Sequence, residues 1–136
     1  MLDSFRTPLT VAGRILLALM FVLAGIDKLT HIEDTAGYLA SGGLLSSSLL
    51  VVLSGPFEVL SGLAVATGFM ARWAALVLAA FTLVVSLVFH RYWSAPADQQ
   101  LVTQLLFMKN IAVVGGMLVL AALGPGPASL GARRSP

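Results

Sequence analysis

No cysteine occurs among the 136 residues. That excludes a disulfide, a thiol relay, an iron–sulfur cluster and a thiolate haem ligand. Histidine is nearly as scarce, and His31 and His90 are too few for a protein-only zinc site without carboxylate help. Charge is the third shortage: 10% of the side chains carry one, against ~25% in soluble domains. Gly42-Gly43 and Gly115-Gly116 lack the Lys-Ser/Thr or strand context of a phosphate loop. No serine lies in a nucleophile elbow. What the chain has in excess is apolar surface. Hydrophobic residues make up 58%, where soluble chains run near ~45–50%, and the mean hydropathy is +0.95. Such a composition calls for lipid as solvent. The isoelectric point near 9.5 reflects a net charge of only +2, which does not make a nucleic-acid surface.

The apolar residues fall into four runs, 9–29, 45–67, 72–92 and 102–123, each long enough to cross ~30 Å of hydrocarbon. The first run has the outline of a signal peptide. It continues through Gly25 and Leu29 without an A-x-A-like site, so a retained helix is expected. Residues 31–43 are polar, with Glu33, Asp34 and Tyr38 before a Gly42-Gly43 break. They predict a short helix at the membrane interface, with Tyr38 at headgroup level. Gly68-Phe69-Met70-Ala71 reads as a tight turn, and Gly124-Pro125-Gly126-Pro127 stops the last run, leaving residues 124–136 as a tail. Short connections make successive helices antiparallel. The expected fold is therefore all-α: one integral membrane four-helix bundle, up-down-up-down. Arg6, Arg14, Arg72, Arg133 and Arg134 collect on one side, against Lys28, Arg91 and Lys109 on the other, which predicts cytoplasmic termini and tail.

Glu58 is the only acid inside the second run. A carboxylate facing lipid costs at least ~2.5–3.5 kcal/mol on insertion scales, so it should face protein or water. Asp27 closes the first run at its edge, so Glu58 is the only acid expected to be buried and a paired-acid hydrolase is not expected. Ser47, Ser54 and Ser61 recur every seventh position, as do Gly55 and Gly62, and Glu58 shares their face. Pro56 removes a backbone donor and predicts a bend. In the first run Arg14, Ala18, Phe21, Gly25 and Lys28 follow the seam spacing of a left-handed helix pair. Arg14 enters roughly 8 Å deep from one side and Glu58 roughly 20 Å from the other, so an Arg14–Glu58 ion pair is the first expectation. Such a pair serves function or merely fixes helix register. Left without a partner, Glu58 would be a candidate proton carrier.

Lys28, His90, Gln104, Lys109 and Asn110 gather nearer the opposite end. Thr82, Ser86 and His90 form one stripe at spacings of four, ending at an imidazole suited to a quinone carbonyl or a proton. Lys109 or Asn110 could bond a second carbonyl. For Lys28 and Arg91 snorkelling to headgroups is the favoured reading over a ligand role. Lys109 shares a heptad position with Gly116 and is expected to face inward. Haem ligation is not expected, because His31 sits in a loop with no partner of matching depth.

Taken in order, several of these pieces resemble the DoxX family of small bacterial inner-membrane proteins. They are Gly13-Arg14-Ile15-Leu16-Leu17 with Phe21, Ala24-Gly25 and Lys28-Leu29, then Glu58-Val59-Leu60-Ser61-Gly62-Leu63. Gly68 with Arg72-Trp73-Ala74-Ala75, His90, Lys109-Asn110 and Gly124-Pro125-Gly126 complete the likeness. The resemblance covers nearly the whole chain. It implies a four-helix inner-membrane protein loosely associated with redox chemistry, including quinone-linked oxidation of sulfur compounds. One expected function follows: a membrane-embedded accessory or quinone-binding component of a redox system. It would hold no metal or thiol centre and pass electrons to a partner protein that carries the cofactors. The alternative is a non-enzymatic bundle for proton or small-solute movement, or for assembly of a membrane complex.

Overall fold

The structure, a computed structural model, describes residues 2–41 and 47–132. After a 3-10 turn at Leu2–Phe5, these residues form α1 (Arg6–Thr30), α2 (Ile32–Ser41), α3 (Ser47–Thr67), α4 (Ala71–Phe89) and α5 (Gln100–Leu123). There is no strand among them. Helices α1, α3, α4 and α5 are each long and apolar enough to cross a membrane. Helix is the form such sequence must take, because in hydrocarbon every backbone N–H and C=O needs a partner within the segment. The all-α membrane bundle is thus the observed architecture. The Gly42-Gly43 break, the start of the second span at Leu45 and the Arg133-Arg134 pair lie outside the described residues.

Lipid tails are as apolar as leucine, so tight packing must hold the spans together, and small residues set where backbones can meet. The closest pair is α1 with α3. A Cβ on Gly25 would lie 2.6 Å from the Gly55 carbonyl oxygen, and one on Gly62 would lie 3.2 Å from that of Ala18. These contacts fix an antiparallel register in which Gly25 faces Gly55 and Ala18 faces Gly62. The buried face of α3 is Val51, Gly55, Glu58, Gly62 and Val65, with Ser54 and Ser61 at its shoulder. The helix runs unbroken through Pro56. Helices α4 and α5 form the second close pair, and Tyr92, Trp93 and Phe107 cluster at one end of it with ring centroids 5.3–5.6 Å apart. Between the pairs lies a core built from all four spans: Ala18, Phe21, Val65, Leu78, Ala79, Met117 and Leu120.

Helix α2 packs against α3 at the end opposite the termini, burying Ala36 and setting the Tyr38 ring 5.8 Å from that of Phe89. Helix α4, the third span, is shorter than the 72–92 run suggests. It stops at Phe89, His90 caps it, and Tyr92–Ser94 form a separate 3-10 turn. At the terminal end, residues 124–132 do not trail away as a tail. They fold back over the α3–α4 turn: the Leu130 N–H donates to the Thr67 carbonyl at 3.0 Å, and the Gly131 N–H to that of Gly68 at 3.3 Å. Ser129 is buried against Gly68, whose positive φ of 78° and lack of a Cβ are both needed there.

Candidate functional site

Arg14 and Glu58 are both buried, at 4% and 3% exposure, but they do not meet. The expected ion pair is wrong because of register. The glycine contacts set Arg14 beside the end of α3, where its Nε donates to the Ala66 carbonyl at 3.1 Å. Ala66 lies about 12 Å along the helix from Glu58, at ~1.5 Å per residue. The same guanidinium donates to the carbonyls of Pro125 (2.5 Å) and Ala128 (2.9 Å). A helix leaves its last carbonyls without partners, and at the end of α3 each finds one elsewhere. Val65 accepts from the Gly68 N–H, Ala66 from Arg14, and Thr67 from Leu130. A cation at a helix C-terminus is also favoured by the helix dipole. Arg14 is therefore a cap and a staple.

The partner of Glu58 is Lys28. Its ammonium donates to Glu58 Oε1, and it lies 5.4 Å from the centroid of the Phe81 ring. The Phe81 ring in turn packs at a tilt against that of Phe57, the neighbour of Glu58, with centroids 5.2 Å apart. Lys28 is not a snorkelling lysine but half of a buried pair, with 24% of its side chain exposed. Nothing in the composition of the run separates the two roles. The usable signal was position, since Lys28 lies one turn beyond Gly25 on the packing stripe of α1.

Two buried side-chain oxygens have no hydrogen-bond partner among the described residues: Glu58 Oε2 and Thr82 Oγ1. The Phe57–Phe81 contact brings their helices together at this level, since Glu58 follows Phe57 and Thr82 follows Phe81. One turn further along α4, the fully buried Ser86 donates back to the Thr82 carbonyl at 2.7 Å. A buried polar atom without a partner costs on the order of 1–3 kcal/mol. Glu58 Oε2 is thus left free on a carboxylate whose other oxygen holds the Lys28 ammonium, and Thr82 Oγ1 is buried on the facing helix at the level of the Phe57–Phe81 contact.

The other expected ligand residues disperse. His90 lines an open cleft of about 530 Å³ at the α2 end, with Tyr38, Ser41, Arg91 and Thr103. Lys109 is near enough to act on His90 electrostatically, yet it is exposed on the outside of α5, as is Gln104. The inward-facing residue is Asn110, at 6% exposure, and the inward assignment of Lys109 is corrected by one position. The polar and apolar residues of α5 are not segregated onto opposite faces, so its pattern could not fix its rotation. Lys28, His90, Gln104, Lys109 and Asn110 thus do not form one pocket. A separate, mostly apolar groove of about 310 Å³ between α3 and α4 has Phe57, Leu60, Trp73 and Val77 in its wall. It reaches Phe57, one ring of the aromatic pair, from the outside of the bundle.

Comparison with known proteins agrees with this architecture. Over 128 residues the chain is 30% identical to the inner membrane protein YphA of Escherichia coli K12, covering 94% of this chain and 91% of that protein. It is 36% identical to the inner membrane protein YqjF of the same strain over 120 residues, 88% of this chain and 87% of that one. A Surfeit locus protein 4 homolog from Drosophila melanogaster is 30% identical over 125 residues, 88% of this chain but 38% of that protein. No solved structure matches. The DoxX family model matches residues 9–91, and with two bacterial inner-membrane relatives aligned along almost their whole length, this chain belongs to the DoxX family.

Proposed function

We propose that this protein is a quinone-binding accessory of a membrane redox system, and that the head of the quinone binds at the Lys28–Glu58 centre. The observation that carries this is two buried oxygens without a hydrogen-bond partner among the described residues, Glu58 Oε2 next to the Lys28 ammonium and Thr82 Oγ1 on the helix that the Phe57–Phe81 contact brings against it. A quinone carbonyl would accept from Lys28 or the Thr82 hydroxyl. The hydroxyl of the reduced form would donate to Glu58 Oε2, so one site serves both oxidation states. The ring would lie against Phe57 and Phe81 after entering from lipid through the α3–α4 groove. Family membership adds the expectation of quinone-linked chemistry. Electrons would leave to a partner protein, since this chain offers no thiol and no pair of histidines at matching depth. The excess of Lys and Arg on the terminal side supports an inner-membrane orientation with both termini in the cytoplasm.

Trp73 lies in the wall of that groove, and Trp93 is the only other tryptophan. In a Trp93→Phe background, a short-chain quinone should quench Trp73 fluorescence saturably. Thr82→Val, which removes a hydroxyl at nearly constant volume, should weaken binding by about tenfold, the worth of one good hydrogen bond. Absence of saturation, or an unchanged affinity in Thr82→Val, refutes the site.

The Thr82–Ser86–His90 stripe favours a second reading, proton movement between the outer cleft and Glu58. Glu58→Gln would then abolish proton flux in liposomes that contain no quinone, and the wild type would show no saturable quenching of Trp73 by quinone.

A further inference from the structure

Four helices in a ring have four seams, and one of these is open. Where α1 meets α5, at the end that carries the termini, a groove of about 350 Å³ runs between Leu9, Leu17, Val119 and Leu123. Glycine makes this space. A Cβ on Gly13 would meet nothing within 4 Å, whereas on the opposite wall a Cβ on Gly116 would lie 3.1 Å from Leu17 Cδ2. The groove is apolar along its length and cationic at one end, where Arg6 and Arg14 enter its lining. No acidic side chain lines it. Arg6, the first residue of α1, is exposed and makes no salt bridge among the described residues. Residues 124–126 close the groove at this end, with Gly126 packed on Thr10.

A trough with hydrocarbon walls and a cationic mouth fits an amphiphile with an anionic head. We propose that the α1–α5 groove binds one anionic phospholipid, acyl chain between Leu17 and Val119 and phosphate on Arg6, with Arg14 adding positive potential from below. Basic pockets between spanning helices are recognised sites for acidic headgroups, and one arginine near the membrane surface is worth about fivefold in affinity for an anionic lipid. The groove volume lies at the lower end of the range of ligand pockets, as suits one chain rather than two. This site lies at the opposite end of the bundle from the His90 cleft and shares no residue with the Lys28–Glu58 centre, so it stands whatever that centre binds.

The test is native mass spectrometry of the intact protein released from detergent after incubation with phosphatidylglycerol or phosphatidylcholine of identical acyl chains. Wild type should retain one phosphatidylglycerol per chain, with about fivefold preference over phosphatidylcholine. Arg6→Gln should abolish the preference while leaving some retention of both lipids. Gly13→Leu, which fills open space, should lower retention of both. Glycerol 3-phosphate alone, lacking the chain, should not bind. The proposal is overturned by equal retention of the two lipids in wild type, by a preference that survives Arg6→Gln, or by glycerol 3-phosphate binding as tightly as the lipid. Both variants alter exposed positions, so helical circular dichroism and elution volume should match wild type. If Gly13→Leu fails this check, Arg6→Gln alone decides.

Discussion

Glu58 and Lys28 illustrate what one residue can demand of its neighbours inside a membrane. Either charge alone would be costly at this depth, and each makes the other tolerable. Removing one should therefore do more harm than removing both. Lys28→Met should destabilise the protein by about 3–5 kcal/mol, because it leaves a carboxylate buried without a cation. Adding Glu58→Leu to that variant should recover most of the loss. Thermal unfolding in detergent checks this, and a double variant no more stable than the single one would show that the pair is not an isolated couple. Arg14 is a different case. Its three acceptors are backbone carbonyls in separate directions, which a planar fork of donors can reach and a single ammonium cannot. Arg14→Lys should lose about 2–4 kcal/mol despite keeping its charge, measured in the same way.

At the level of whole helices, glycine decides which faces touch. Gly25 lies against the backbone of α3, so Gly25→Ala puts a methyl 2.6 Å from a carbonyl oxygen that cannot move without its helix. The expected cost is about 1–3 kcal/mol, as for overpacked cores. Gly13 sits on the same helix with open space beside it, and Gly13→Ala should be neutral or stabilising by up to about 1 kcal/mol. Melting temperatures of the two variants should differ in sign relative to wild type. Equal effects would mean that α1 does not pack on α3 along the Gly25 face. The stripe Arg14–Ala18–Phe21–Gly25 was legible in the sequence because its spacing is local and its neighbours are large. For α5 the same kind of reasoning put Lys109 inside, whereas the structure buries Asn110. A helix whose polar residues do not keep to one side carries no clear record of its own rotation.

Over the whole molecule, the terminal segment closes one end of the bundle. Residues 124–132 supply acceptors to Arg14 and donors to Thr67 and Gly68, so they belong to the fold. Truncation after Leu123 should leave the four spans inserted but raise hydrogen exchange at residues 66–72 and lower the melting temperature. Unchanged exchange there would show that the segment is dispensable. The lack of native cysteine makes topology easy to test as well. A single cysteine at Ala97, in the loop before α5, should react with a membrane-impermeant maleimide added outside the cell. One at Ser4, beside the N-terminus, should react only after lysis. The reverse pattern would invert the proposed orientation.

The solvent, the number of spans, the polar segment between the first two and the acid at the centre of the second are written in composition and spacing alone. They depend on residues within a few turns of one another and on the ~30 Å thickness of hydrocarbon. The partner of Glu58, the cap on α3, the rotation of α5 and the two partnerless oxygens depend on how far one helix slides and turns against another. That register is set by contacts such as Gly25 on Gly55 and Gly62 on Ala18, between residues remote in sequence, and only the packed bundle brings them together.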